Sequence, residues 1–284
     1  MSENAAGRWE GGDVTPVAHC VLAPNPGPMT LDGTNTWVLS RSGARRAVVV
    51  DPGPDDPAHL SRVLAAAEAR DAGIGAVLLT HGHLDHSEGA RELAGRAGPG
   101  VPVRALDPAQ RLGNEGLGGG DVVEVDGLVV EVLATPGHSA DSLSFVLPES
   151  RALLTGDTVL GRGTTVVAHP DGRLADYLDS LARLEELVAS RGLADLLPGH
   201  GPALPRPLDV VRFYRRHRAE RLEQVRAAVA AGARTAREVV ERVYADVPSD
   251  VWPAAELSVR AQLDYLAASQ PPRGDQGICG PSIP

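Results

Sequence analysis

The sequence predicts a layered domain of α-helices and β-strands followed by a small helical module, and three observations carry that reading. Through the first two hundred residues, short β-branched runs alternate with stretches of helical periodicity, the pattern of a layered α/β fold. Several of these runs end directly at a histidine or aspartate. After the loop PGHGPALPRP the texture becomes almost purely helical. A chain of 284 residues, 43% of them hydrophobic, is long enough for one large domain with a buried core and a minor appendage.

Taken in order, candidate strands occupy residues 17–22, 36–40, 47–51, 76–80, 122–125, 128–134, 143–147, 152–155 and 194–197. Helical periodicity appears at 57–70, 87–97 and 174–190, each preceded by Asp, Ser or a Pro/Gly turn suited to a helix start. Past the change in texture, candidate helices occupy 207–231, 235–244 and 251–268, with Gly232 and Pro248 as punctuation. The residues beyond 269 are expected to form a loose tail.

No run approaches the roughly 18 apolar residues that span a bilayer. The opening residues hold Pro, Asp, Glu and Gly where a signal peptide needs an apolar stretch, so a cytoplasmic location away from membranes is expected. Cys20 and Cys279 lie near opposite ends and neither belongs to a CxxC, so no disulfide framework or cysteine-built metal site is expected. All 27 basic residues are arginine, which excludes lysine Schiff-base chemistry. The net charge of −10 argues against attraction of the whole surface to nucleic acid, yet the charge is uneven. Residues 206–242 hold ten arginines against five acids, a local balance of +5 that leaves −15 for the remainder.

The chemistry is concentrated in Thr80-His81-Gly82-His83-Leu84-Asp85-His86, between the apolar run AVLLT and the helix start SEGARELAG. Alternation along a strand would bring His81 and His83 together but send Asp85 and His86 to opposite faces, so convergence of all four predicts loop backbone there. A two-metal site needs about six or seven imidazole and carboxylate donors, with a carboxylate bridging ions roughly 3.5–4 Å apart. Three further residues supply them: His138 in TPGHS, Asp157 in LLTGDT and His200 in LLPGHGP. Each follows a strand and has a neighbouring glycine, where the backbone can approach an ion. A lone histidine is ordinarily a surface or hydrogen-bonded core residue. Five of the nine histidines in one recurring strand-then-loop context point instead to a metal centre.

His81, His83, Asp85 and His86 match the HxHxDH signature of the metallo-β-lactamase superfamily, which the chain resembles. The resemblance implies an αββα sandwich with the metals at one edge, between the two sheets. It also implies that His81, His83 and His138 hold the first metal, Asp85, His86 and His200 the second, and that Asp157 bridges them. Asp51 in VVVDPG matches a position that buttresses the metal loop; from the residues alone it reads equally as a turn-initiating aspartate before Pro-Gly. Two zinc ions suit nitrogen and oxygen donors without cysteine, and manganese or ferrous iron would accept the same donors.

Finer motifs, GTNTW, GDTVLGRGTTVV, DYLDSL and RFYRRHRAERLEQV, resemble the lactamase-β-like protein 2 family over most of the chain. With the change of texture, the chain divides into a metallo-β-lactamase-fold catalytic domain over 1–205, a winged-helix-like helical domain over 206–269 and a tail over 270–284. Members of that family act as single-stranded RNA endonucleases, and related fungal enzymes as thioesterases on carrier-protein-bound polyketides. Both reactions need hydroxide from metal-bound water, a Lewis acid and a site for the leaving group, with Asp85 orienting the bridging hydroxide.

Endoribonuclease-like cleavage is the first expectation, from the arginine stretch. Hydrolysis of a small or carrier-linked ester or thioester is the alternative, favoured by the acidic remainder and by aromatics at 3% of the chain, too few for base-stacking platforms. A third reading makes the helical module a homodimerisation or partner-binding element. Asn35, Thr164 and Thr165, in loops near the metals by resemblance, are expected to contact substrate. His169 close by has no expected role.

Overall fold

The central strands read as nearly continuous apolar runs because helices cover the outer face of each sheet there. The first sheet is ordered β1 (Gly11–Thr15), β2 (Ala18–Leu22), β3 (Asn35–Leu39), β4 (Arg46–Val50), β5 (Gly73–Leu78) and β6 (Val103–Arg104). Its first four strands are antiparallel, and β4 to β6 are parallel. The second runs in the order β12 (Leu204–Pro205), β11 (Asp195–Pro198), β10 (Ala152–Gly156), β9 (Leu143–Leu147), β8 (Leu128–Ala134) and β7 (Val122–Val125), with only β10 and β11 parallel. This computed structural model describes residues 8–269; Cys279 and the expected tail 270–284 lie outside the described residues.

Period-2 alternation sends neighbouring strand residues to different cores. Trp37, Leu39, Val48, Val50, Leu78, Phe145 and Leu154 fill the space between the sheets. Val38, Val49 and Val77 face outward instead, onto α1 (Pro57–Glu68) and α3 (Ala90–Ala97) through Leu60, Val63 and Leu93. On the far side Val146, Leu153 and Leu196 pack against α4 (Leu174–Arg191) and α5 (Pro207–Ala230) through Tyr177, Leu181, Leu184, Val211 and Tyr214. Each fully buried Leu, Val or Phe side chain contributes about 1.5–3 kcal/mol. The result is the expected αββα sandwich.

The lower half of α5 leaves that core. Val225 and Ala228 join Val239, Val240 and Val259 in a separate cluster with α6 (Ala236–Val243) and α7 (Trp252–Ala268). Helix α5 therefore belongs to both cores. Among the described residues no strand follows Pro205, and no helix is long and apolar enough to cross a membrane.

The predicted elements are found with three corrections. Strands β1, β6 and β12 were not expected, because a two-residue edge strand carries no alternating signal and β1 opens on two glycines at positive φ. The predicted helix 87–97 is two pieces, α2 (Leu84–Ser87) and α3, divided at Gly89. A Cβ on Gly89 would fall 2.9 Å from Leu60 Cδ2 and from the Pro54 carbonyl, so the chain must pass there as glycine. The first piece begins inside the histidine motif. Asp85 and His86 thus stand on a one-turn helix, whereas loop backbone was expected throughout.

Candidate metal centre

Five strand ends meet at one edge of the sandwich. Asp51 follows β4, His81 follows β5, His138 follows β8, Asp157 follows β10 and His200 follows β11. The backbone locks these ends together. Leu143 N–H donates to the Thr80 carbonyl at 2.7 Å, Gly199 N–H to the Gly156 carbonyl at 2.8 Å, and Asn35 N–H to the Gly199 carbonyl at 2.8 Å. All seven predicted donors come together as a result.

They form two groups joined by one carboxylate. His81 Nε2 lies 3.0 Å from His83 Nδ1, which lies 3.1 Å from His138 Nε2. His200 Nε2 lies 3.2 Å from both His86 Nε2 and Asp85 Oδ2, and His86 Nε2 lies 3.5 Å from that oxygen. Asp157 Oδ2 faces both groups, 3.7 Å from His138 Nε2 and 3.3 Å from His200 Nε2. Each group of donors lies close enough to hold one ion.

The remaining ring nitrogens explain why those atoms converge. Asp51 Oδ2 can only accept, so His86 Nδ1, 2.9 Å away, carries the hydrogen. Thr80 gives its hydroxyl proton to the same Asp51 oxygen at 2.6 Å, and its own oxygen accepts from His81 Nδ1 at 3.0 Å. His138 Nδ1 donates to the Val166 carbonyl at 2.8 Å and His200 Nδ1 to the Gly33 carbonyl at 3.2 Å. Four imidazoles are thereby fixed in the tautomer that leaves Nε2 free as a donor atom.

Two further observations fit a bound cation. Asp157 Oδ1 is buried without a hydrogen-bond partner. A Cβ on Gly199 would sit 2.4 Å from that same oxygen, so the chain keeps the space clear. Electrostatics agree. Burial would raise the Asp157 carboxyl, yet His200 and His86 hold it well below the ordinary range. Burial opposes charge on His200, yet Asp157 and Asp85 raise it to about 9. Burial, with His86 and His138 nearby, keeps His81 well below its usual value.

Asn35 is a correction. Its amide donates to the Pro198 and Gly201 carbonyls at 2.9 and 2.8 Å, and its oxygen accepts from Trp9 Nε1 at 2.8 Å and Cys20 Sγ at 3.3 Å. Its hydrogen-bonding capacity is spent on clamping the His200 loop, leaving none for substrate. Cys20 itself is buried, and burial pushes its thiol up. Thr165 is buried too, its Oγ1 3.2 Å from His138 Nδ1, so it touches a candidate ligand and does not reach solvent. Thr164 is half-buried. The Gly33 and Val166 carbonyls were not foreseen and carried no signal, whereas Thr80 adjoins the motif and Gly199 is the glycine beside His200.

The ten arginines of 206–242 are largely engaged. Arg212 and Arg215 share Glu185, Arg237 contacts Glu241 and Glu256, Arg206 pairs with Asp209 and Arg226 with Glu223. Arg221, Arg242 and Arg218 donate to backbone carbonyls. Glu185 and Glu256 come from outside the stretch, so its balance of +5 becomes +3, and with Arg218 buried about +2 remains at the surface.

Five imidazoles and two carboxylates converging at the edge of an αββα sandwich define a class, the metal-dependent hydrolases built on two facing sheets. The chain belongs to the metallo-β-lactamase superfamily, whose pattern it matches over residues 29–200, and residues 235–270 match the beta-lactamase associated winged helix domain. It is similar to the beta-lactamase-like protein 2 homolog of Caenorhabditis elegans, 33% identical over 87% of this chain and 82% of that protein. It is also similar to an atrochrysone carboxyl ACP thioesterase of Aspergillus fumigatus, 34% identical over 81% of this chain and 74% of that protein. Among solved structures, a metallo-β-lactamase family protein from Thermus thermophilus shares the fold, with a TM-score of 0.72 at 22% identity over 89% of this chain and 94% of that one.

Proposed function

We propose that the chain is a two-zinc hydrolase of acyl thioesters or related small esters. His81, His83 and His138 would hold one ion and Asp85, His86 and His200 the other, with Asp157 placed between the two groups. When bound, the ions generate a nucleophile from water near neutral pH and polarise the acyl carbonyl. Asp85, with a partly exposed carboxylate beside His200, orients the attacking water by accepting its hydrogen bond. Asp51, Thr80, Gly33 and Val166 hold the rings from behind. His83 and Leu84 lie on the open side; Leu84 is 68% exposed between two of the donors and suits an acyl group better than a phosphodiester.

The observation that carries the substrate class is the engagement of the arginines. Phosphate-backbone binding needs free cationic side chains, and the stretch that pointed to RNA retains about +2 at the surface. A relative that carries the name of a carrier-protein thioesterase supports the same preference. Endoribonuclease cleavage is the reading to be separated from it. Zinc-loaded protein assayed in parallel on an acyl thioester, a lactone, a bis-arylphosphate and single-stranded RNA should turn over the thioester and leave RNA intact. RNA cleavage without thioester hydrolysis would reverse the assignment.

A further inference from the structure

Helix α5 is the joint between the sandwich and the helical module, and one of its arginines stands apart. Arg218 is 5% exposed, and among the described residues no carboxylate pairs with it, whereas Arg212 and Arg215 on the same helix share Glu185. A buried cation without a counter-ion is costly unless other contacts compensate it. Here the contacts all lead to one place. Arg218 Nη2 donates to the Thr165 carbonyl, and its Cζ lies 5.1 Å from the centroid of the Tyr177 ring. Tyr177 donates its hydroxyl to the Thr158 carbonyl at 2.7 Å, and its backbone packs so closely on Gly137 that a Cβ there would fall 2.3 Å from Tyr177 Cα.

Residues 164–168 have no helix or strand of their own. Yet this segment supplies the carbonyl of Val166 that receives His138 Nδ1–H at 2.8 Å, and the Thr165 hydroxyl 3.2 Å from the same nitrogen. Just beyond it, His169 N–H donates to the Leu257 carbonyl at 3.3 Å, and His169 Nδ1 lies 2.9 Å from Asp264 Oδ2, both partners on α7. The segment that orients His138 is therefore gripped from outside by the helical module, at Thr165 and at His169.

We propose that Arg218 is a positioning residue. It fixes the Thr165–Val166 peptide so that the Val166 carbonyl keeps His138 Nε2 turned toward His83 and Asp157, and the helical module thereby completes the metal centre. Lysine would offer a point charge in place of the planar fork and would lose the stacking on Tyr177. The inference rests on the reading of His138 as a metal ligand.

The test uses the full chain, stripped of metal and titrated with cobalt(II), as wild type, Arg218→Lys, Arg218→Met and Tyr214→Phe. Tyr214 ties α5 to the sandwich by accepting from Leu160 N–H at 2.9 Å, and among the described residues its hydroxyl makes no hydrogen bond to 164–168, so Tyr214→Phe reports a general loosening of the joint. Thermal midpoints and the ligand-field absorption of each cobalt site are recorded. Tyr214→Phe should lower the midpoint and leave both affinities within about twofold. Both Arg218 variants should weaken one site about 10–100-fold, the usual effect of losing a partner behind a ligating histidine, and alter its spectrum while sparing the other site.

Unchanged affinities and spectra in the Arg218 variants would overturn the proposal, as would an equal loss at both sites matched by Tyr214→Phe. Failure of both Arg218 variants to fold would assign the residue to stability alone and also overturn it. Absence of cobalt binding in the wild type would overturn the metal reading itself, and is told apart because no substitution is needed to see it.

Discussion

Asp51 holds His86 from behind, its Oδ2 accepting the Nδ1–H of the imidazole at 2.9 Å with both side chains buried. The contact exists because Asp51 takes φ +51 at the end of β4, turning the carboxylate back under the histidine motif. The same oxygen receives the Thr80 hydroxyl, whose own oxygen faces His81. One carboxylate therefore aligns a candidate ligand in each group of donors.

Asp51→Asn should test that alignment without disturbing the turn, since asparagine tolerates the left-handed backbone. An amide has one oxygen in place of two, so a buried donor of Thr80 or His86 loses its acceptor; the metal-free protein should lose about 1–3 kcal/mol and zinc affinity should fall about 10–100-fold. Equilibrium dialysis with metal analysis measures it. Wild-type affinity would leave Asp51 as a turn residue only.

Asp85→Asn should keep an ion in the group of His81, His83 and His138 and lower turnover about 10²–10⁴-fold, the range for loss of a group that handles the proton of the nucleophile. Steady-state rates and metal content on the same preparation decide it. An undiminished rate would take Asp85 out of the chemistry.

Gly199→Ala puts a methyl group 2.4 Å from Asp157 Oδ1 and 2.8 Å from His86 Cε1. The backbone cannot retreat, being bonded to Gly156 on one side and Asn35 on the other. Overpacking of this kind costs about 1–3 kcal/mol, a midpoint shift of a few degrees or more. Metal stoichiometry should drop with it, and two ions bound with normal affinity would contradict the proposed geometry.

His59 gives the protein a pH dependence away from the metal centre. It is buried against Thr36 and Arg62, and burial, then the Arg62 charge, lowers its pKa from 6.5 to about 4. Protonation therefore favours the unfolded chain. The ring's contribution is complete above about pH 6.5 and is lost as pH falls toward 4, by up to about 3 kcal/mol. Between pH 7.5 and 5.0 the wild type should lose about 2 kcal/mol more than His59→Asn in urea unfolding. The metal ligands titrate in both proteins and cancel, so equal losses would remove His59 as the source.

Part of this is legible in the sequence alone. The seven donors sit in or beside strand-then-glycine contexts that a linear reading detects, and the alternation of apolar runs with helical periods gives a layered α/β domain, whose αββα order the family resemblance implied. Asn35 shows the limit. Its loop lies beside the His200 loop as resemblance implied, but only the fold shows its amide consumed by Pro198, Gly201, Trp9 and Cys20.

The arginines show the limit again. Charge adds along a sequence, so residues 206–242 read as one basic stretch, while burial and pairing depend on which helix face meets which neighbour. Glu185 on α4 and Glu256 on α7 offset that charge, and Arg218 is buried behind a metal-site loop. The sequence by itself determined the donor set and the layered α/β character, because both are written in local patterns of residue type. Only the tertiary structure decided which nitrogen of each histidine is free, what holds each ring from behind and which arginine is buried. Those are matters of distance between residues on different elements, from 28 positions apart for His138 and Val166 to 114 for His86 and His200, and no local pattern encodes them.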